Sequence, residues 1–255
     1  SGYSLRFGTV VQGIGDFNQD GYEDVLISSG RDAAYLLYGQ GDAYPTSFSA
    51  DLSIGTDLAR FDGPAGSWAG KSFSGLGDFD GDGSVDVAIG AANDDLNGKD
   101  SGGAYVIHGG DPGILGQESL ATMAAADGSI VGGPGSGTRA GSYLSIQGGG
   151  DFNGDGYDEL LIATPDVASA ADRAAYLVFG APDTPADFDL PTLGAGGGFK
   201  FTAASGSQTG GTMFSAGDLN GDGYDDLVVG SNSKAYVVFG APSVATLITA
   251  ESLNG

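Results

Sequence analysis

The 255-residue sequence contains no cysteine, which excludes a disulfide framework, a thiolate metal site and a cysteine nucleophile. Histidine occurs once, at His108, so any catalytic triad that needs a histidine elsewhere is excluded. Basic residues number only 9 against 33 acidic ones, and the net charge of -24 repels nucleic-acid phosphates and anionic lipid. No apolar run approaches membrane-spanning length. The opening Ser-Gly-Tyr-Ser has no basic n-region or apolar h-region, so any export signal is expected to have been removed or to lie upstream. No segment carries a long 3.6-residue apolar stripe with caps, so helix should be minor.

Glycine, by contrast, is abundant at 49 residues, and its lack of a three-residue period excludes a collagen-like chain and implies frequent tight turns. Many short strands follow from that, and the length suffices for one large all-β domain or two ordinary ones. The most informative feature is an acidic loop present four times: Asp16-Phe-Asn-Gln-Asp-Gly-Tyr-Glu-Asp24, Asp78-Phe-Asp-Gly-Asp-Gly-Ser-Val-Asp86, Asp151-Phe-Asn-Gly-Asp-Gly-Tyr-Asp-Glu159 and Asp218-Leu-Asn-Gly-Asp-Gly-Tyr-Asp-Asp226. These loops hold 16 of the 33 acids, so four calcium ions would bring -24 to -16.

Each loop sets side-chain oxygens at positions 1, 3, 5 and 9 and a backbone carbonyl at position 7, the donors that a hard cation such as calcium takes at about 2.3 to 2.6 Å. The candidate ligands are Asp16, Asn18, Asp20, Tyr22 and Asp24 in the first loop and Asp78, Asp80, Asp82, Ser84 and Asp86 in the second. In the third they are Asp151, Asn153, Asp155, Tyr157 and Glu159, and in the fourth Asp218, Asn220, Asp222, Tyr224 and Asp226. Gly21, Gly83, Gly156 and Gly223 at position 6 permit the bend. The same residues also suit a metal-free turn in which side chains cap their own backbone. Four copies in register, each concentrating like charge, favour calcium, at about four ions per chain. An EF-hand is disfavoured because no helices flank the loops and no Glu stands at position 12, and magnesium because it keeps its waters and demands octahedral geometry. Glu159, one methylene longer than its counterparts, sets the third site apart.

The first aspartates of the loops are 62, 73 and 67 residues apart, so four units fill the chain. After each loop comes a short apolar run (Val25 to Ile27, Val87 to Ile89, Leu160 to Ile162, Leu227 to Val229), then an Ala-Tyr strand beginning at Ala34, Ala104, Ala175 or Ala235. Ahead of the loops lie strand-like segments at Tyr3 to Gly13, Trp68 to Leu76, Ser142 to Gln147 and Gly211 to Ala216. More polar segments close the units at Leu58 to Asp62, Ser129 to Gly132, Phe199 to Ala203 and Leu247 to Leu253. Four antiparallel strands per repeat predict an all-β propeller, one domain over 1–255 with approximate blades 1–64, 65–134, 135–206 and 207–255. We expect the four blades to close on themselves. Half of an eight-bladed ring made by two chains, or a piece of a longer propeller, are the alternatives, and an open arc should self-associate.

The units resemble FG-GAP repeats, the blades of integrin α-subunit propellers and of many bacterial surface proteins. The resemblance rests on the four loops, on Phe7-Gly8, on Phe73, Leu144 and Phe214 taken as equivalent positions, and on Gly90-Ala-Ala92. Phe179-Gly-Ala-Pro182 and Phe239-Gly-Ala-Pro242 only mimic the family's name, since they follow the Ala-Tyr strand. Ser74, Ser145 and Ser215 replace the glycine of the FG pair, and the family's propellers have seven blades where four units are counted here. The resemblance implies an extracellular or cell-surface calcium-binding propeller that acts in adhesion, without catalysis, on a protein or glycan ligand.

The face opposite the calcium loops is where the units vary. From loop Asp to Ala-Tyr tyrosine is 19 and 18 residues in units one and four but 27 and 25 in units two and three, with the extra residues in Ala91 to Gly102 and Thr164 to Arg173. Asp94, Asp95, Lys99, Asp100, Arg173, Trp68 and Arg139 are candidate ligand contacts there, or else solvated loop charges and, for Trp68, packing between blades. His108 stands where other units have Tyr38, Phe179 and Phe239, an aromatic packing position. A propeller domain of a carbohydrate-active enzyme and a purely structural segment of a larger surface protein are the other readings.

Overall fold

In a computed structural model of the chain, the described residues are 7–30, 32–41, 58–110, 114, 116–142, 145–164, 173–182, 184–194, 196–203, 210, 212–231, 234–250 and 252–254. Unit one contributes β1 (Val11–Gly15), β2 (Asp24–Ser28), β3 (Ala33–Leu37) and β4 (Leu58–Asp62). Unit two adds β5 (Ser72–Gly77), β6 (Asp86–Gly90), β7 (Gly103–Ile107), β8 (Gln117–Ser119) and β9 (Gly128–Gly132). Unit three adds β10 (Ile146–Gly148), β11 (Leu160–Ala163), β12 (Ala175–Val178), β13 (Asp187–Asp189) and β14 (Gly198–Thr202). Unit four adds β15 (Met213–Gly217), β16 (Asp226–Ser231), β17 (Lys234–Val238) and β18 (Leu247–Thr249). Helix among the described residues is limited to three-residue 3-10 turns such as Leu120–Thr122 and Leu190–Thr192, and none is long and apolar enough to cross a membrane.

The strands form four sheets, ordered β1-β2-β3-β4-β8, β5-β6-β7-β9-β13, β10-β11-β12-β14-β18 and β15-β16-β17. Pairing is antiparallel except at the outer edge, where β8, β13 and β18 join β4, β9 and β14 in parallel. The chain is thus all-β, with sheets consistent with propeller blades. Each acidic loop links the first strand of a sheet to its second, and the bulge that ends β1, β5 and β15 turns the chain into the loop.

Apolar layers lie between successive sheets because the strands after the loops bury both faces. In sheet two, Val87, Ile89, Tyr105 and Ile107 pack towards sheet one, while Ala88, Ala104, Val106 and Val131 pack towards sheet three. Sheet three repeats the pattern, with Leu160, Ile162 and Tyr176 facing sheet two and Leu161, Leu177, Phe199 and Phe201 facing sheet four. The second loop residue enters each layer: Phe17, Phe79 and Phe152 are all 0% exposed.

Four expectations are corrected. The first strand begins at Val11, not at Tyr3, and residues 1–6 lie outside the described ones. Leu247 to Leu253 does not close the fourth unit: β18 crosses to sheet three, pairing Phe201 with Ile248, because the layer around Phe199 and Phe201 offers Ile248 and Ala250 an apolar seat. The aromatic residues ahead of the loops are not equivalent. The register sets Val11, Phe73, Ile146 and Met213 opposite Ile27, Ile89, Ile162 and Val229, so Phe7 and Phe214 fall elsewhere, and Leu144 lies outside the described residues. Finally, among the described residues sheet four does not pack on sheet one: the outer cluster of sheet one around Ile27, Tyr35 and Leu58 contains no residue of sheet four, and Leu219, the counterpart of the three buried phenylalanines, is 56% exposed.

Burial of the loop aromatic by the next sheet therefore fixes how sheets stack. Phe79→Ala or Phe152→Ala should lower the unfolding free energy by about 3–5 kcal/mol, and Leu219→Ala by less than about 0.5 kcal/mol. Denaturant unfolding of the three variants checks this, and equal losses at all three would contradict it.

Candidate metal centres in the acidic loops

The four loops share one local design. The position-1 carboxylate caps the turn: Asp16 accepts from the N–H groups of Asp20 and Gly21 at 3.0 and 2.8 Å, and Asp218 from those of Gly221 and Gly223 at 2.7 and 2.8 Å. Asp78 and Asp151 likewise accept from Gly81 and Gly83 and from Gly154 and Gly156. The position-5 aspartate accepts from the N–H of position 7, as in Asp82 to Ser84 at 2.7 Å and Asp155 to Tyr157 at 3.0 Å. The bend at position 6 has φ of +91°, +86°, +91° and +93° at Gly21, Gly83, Gly156 and Gly223, a left-handed conformation that explains the invariant glycine.

Position 9 differs in kind. Asp24, Asp86, Glu159 and Asp226 are fully buried at the start of the second strand or beside it. Asp24 accepts from Phe17 N–H at 2.8 Å with one oxygen and from Gly39 N–H at 2.7 Å with the other. Asp86 does the same with Phe79 and Gly109, both at 2.8 Å, and Asp226 with Leu219 and Gly240, both at 2.9 Å. One carboxylate thus ties the loop to the glycine that ends the third strand. Glu159 keeps the first bond, from Phe152 N–H at 2.7 Å, but its Oε1 is buried without a hydrogen-bond partner. The extra methylene carries this oxygen past the backbone group that its counterparts reach.

The predicted ligands converge most closely in two loops. Among the described residues, Asp78, Asp80 and Asp86 bring carboxylate oxygens within 4.8 Å of one another, as do Asp151, Asp155 and Glu159. Such clustering suits a cation, and Glu159 Oε1 is an acceptor that the protein itself leaves unused. Burial pushes the Glu159 carboxyl up to about 9, against the Phe152 N–H, and Asp151 and Asp155 push the same way. Burial likewise raises Asp86 to about 7 and raises Asp24. At the exposed Asp218 the N–H groups of Gly223 and Gly221 hold the carboxyl below its ordinary value.

One participant was missed from sequence. Asn18, Asn153 and Asn220 at position 3 donate from Nδ2 to the position-5 aspartate at 2.8 to 3.0 Å. The second loop has Asp80 instead, and its Oδ2 lies 3.1 Å from Nδ1 of His108. His108 therefore belongs to the site rather than to aromatic packing. The signal was available in the coincidence of the sole histidine with the sole aspartate at position 3.

A family model described as "FG-GAP repeat" matches residues 143–176 and 210–238, spanning the third and fourth loops. The chain carries FG-GAP repeats. It is 36% identical to integrin alpha-4 of Xenopus laevis over 97 residues, 35% of this chain and 9% of the relative. To integrin alpha-5 of Xenopus laevis it is 31% identical over 164 residues, 58% of this chain and 14% of the relative. To integrin alpha-7 of Rattus norvegicus it is 29% identical over 183 residues, 68% of this chain and 13% of the relative. The chain thus spans between 9% and 14% of the length of these relatives.

At the end of the sheets opposite the acidic loops, the candidate contact residues separate. Asp94 is buried, accepting from Tyr105 O–H at 2.6 Å, and so serves the interior. Asp95 accepts from Asp100 N–H at 2.8 Å, Asp100 carbonyl accepts from Arg139 N–H at 3.2 Å, and Lys99 carbonyl accepts from Gly137 N–H at 2.8 Å. Trp68 is 40% exposed under Lys71, whose Nζ lies 3.5 Å from the ring centroid. Asn93 N–H donates to Ser67 carbonyl, so the 91–102 segment runs from beside Trp68 to beside Arg139. Arg173 stands apart from this group among the described residues, its Nε buried without a hydrogen-bond partner, and residues 165–172 lie outside the described ones.

The raised carboxyls fix the sign of a pH effect. Below about pH 4 the folded and unfolded states bind these protons alike; from there to about 7 for Asp86 and about 9 for Glu159 only the folded state keeps them. In chelator, the melting temperature should therefore fall from pH 5 to pH 8, and Glu159→Gln should raise it at pH 8 and flatten the slope. A metal-free melting temperature that rises over this interval would contradict the assignment.

Proposed function

We propose that this chain is a calcium-stabilised, non-catalytic β-propeller segment of an extracellular or cell-surface protein, acting as an adhesion module that binds a protein or glycan ligand. The observation that carries the reading is the converging carboxylates of the FG-GAP loops together with the buried, unpartnered Oε1 of Glu159. Positions 1, 3, 5 and 9 and the carbonyl of position 7 would hold about four ions, one per loop. A bound cation supplies the positive charge that clustered, desolvated carboxylates lack. The residues then do the structural part: position 1 caps the turn, position 9 pins it to the sheet, and position 2 anchors it under the next sheet. The units 1–64, 65–134, 135–206 and 207–255 are read as successive blades, with the short β8, β13 and β18 crossing to the blade before.

Likeness to integrin alpha subunits supports the surface location and the adhesive role. The ligand end is proposed around Trp68, Asp95, Lys99, Asp100 and Arg139, with Arg173 as an outlying candidate. Trp68 and Arg139 occupy equivalent places ahead of β5 and β10, and each holds a left-handed backbone, with φ of +62° and +50°. Side chains other than glycine rarely adopt this conformation, and it recurs where a surface is shaped for contact.

Thermal melts in calcium, magnesium and chelator test the reading. Calcium in large excess over its dissociation constant should add about 3–4 kcal/mol of stability per site at a ratio of 100 to 1,000, magnesium should add less, and Asp155→Asn should reduce the calcium increment. Identical melts in calcium and chelator would overturn the metal reading. Binding to an immobilised glycan or extracellular protein panel that needs calcium and is lost in Arg139→Ala would support the ligand end.

A further inference from the structure

The second acidic loop departs from the other three at position 3. Asn18, Asn153 and Asn220 serve the loop they stand in: each amide donates from Nδ2 to the position-5 aspartate and accepts that residue's N–H at Oδ1. Asp80 has no such donor to offer. Its Oδ1 still accepts from Asp82 N–H at 3.1 Å, but among the described residues no side chain donates to the Asp82 carboxylate. Over positions 1, 3, 5 and 9 this loop carries four carboxylates where each of the others carries three.

The partner that Asp80 takes comes from another strand. β7 ends one residue before His108, whose Nδ1 lies 3.1 Å from Asp80 Oδ2. A carboxylate only accepts, so Nδ1 carries the proton and the imidazole donates. The next residue, Gly109, donates its N–H to Asp86 Oδ1 at 2.8 Å. Two consecutive residues at the end of one strand therefore hold positions 3 and 9 of the loop. Elsewhere the glycine acts without this help: Phe179 and Phe239 have no side-chain donor, and Tyr38 donates its hydroxyl to the Ile114 carbonyl. His108 is itself fixed, since its N–H donates to the Asp127 carbonyl at 3.0 Å and its side chain is only 15% exposed. Asp80, Asp82, His108 and Asp127 line one open cleft of about 350 Å³, beside which Asp78, Asp80 and Asp86 converge.

We infer, on the cation reading of the loops proposed above, that His108 is a positioning residue that makes the second loop this chain's tightest calcium site. Affinity in loops of oxygen ligands follows the number of charged ligands and the rigidity of the site. The second loop has the additional charge, and His108 supplies the rigidity. Four carboxylates gathered without a donor repel one another and splay. The imidazole N–H holds one of them from the side, and the Asp82 carboxylate, which no amide engages, stays available to the ion. A hydrogen bond of this kind behind a ligating carboxylate is typically worth about 10–100-fold in metal affinity.

Calcium titration of the 255-residue chain by calorimetry, with native mass spectrometry to count the ions, tests the proposal. Asp82→Asn should remove the tightest binding step. His108→Phe, which places the residue of units three and four in unit two, should weaken that step by about tenfold or more and leave the other steps unchanged. In chelator this variant should melt no lower than the parent, because it removes a buried Nε2 that has no hydrogen-bond partner. Adding Asp80→Asn to His108→Phe rebuilds the amide-to-carboxylate bond of the other loops and should bring the second loop to their affinity. A tightest step that survives Asp82→Asn, or that His108→Phe leaves as it was, would overturn the proposal while calcium still binds. Weakening of all steps together, or a lower melting temperature in chelator, would overturn it in favour of a role in folding alone. A parent chain that binds no calcium would overturn the cation reading and the proposal with it.

Discussion

The structure depends on a buried carboxylate at the end of each acidic loop. Asp24, Asp86 and Asp226 each take two backbone N–H bonds, one from the loop and one from the glycine after the third strand. A carboxylate out of water is costly unless its lone pairs are used, and here an N–H group on each oxygen uses part of them. This bond set holds the turn against the sheet and aims the second residue of the loop away from its own sheet. Phe17, Phe79 and Phe152 can then fill the layer beneath the next sheet. The acidic loop and the sheet stacking are thus one device, and a change in one is felt in the other.

Much of this was legible in the sequence because the repeat is written in residue types with narrow physical uses. Glycine at position 6 demanded a left-handed turn, and all four positions adopt it. The apolar runs after the loops read as buried strands, and β6 and β11 are buried throughout. The first strands were harder, since glycine, serine and glutamine carry little periodic signal, and the aromatic residues nearby suggested a register that pairing does not follow. The parallel strands β8 and β13 escape a sequence reading because three residues, mostly exposed and charged or polar, look like loop until a neighbouring sheet edge is placed beside them. For the same reason Leu247 to Thr249 was assigned to the wrong sheet.

Within the loops, the sequence conveyed the donors but not their division of labour. Position 1 is exposed or half-buried and caps a turn, whereas position 9 is buried and joins elements, a distinction that spacing alone does not carry. Glu159 was marked as different for its length, and the structure gives the consequence: one oxygen bonded and one unused. The column of His108 reads as aromatic packing, yet its Nδ1 lies 3.1 Å from Oδ2 of Asp80, which stands where the other three loops carry asparagine. The repeat is also not uniform, since the same sequence positions that bury Phe152 and half-bury Tyr224 leave Leu219 and Tyr22 exposed.

The central claim is that the acidic loops are cation sites and not self-capped turns. Counting bound calcium by native mass spectrometry after dialysis against about 1 mM calcium tests it most directly. Four ions per chain, with one lost when Asp151 and Asp155 are both changed to Asn, is the predicted result. A chain that retains no calcium under these conditions, while keeping its β-sheet circular dichroism, would contradict the account.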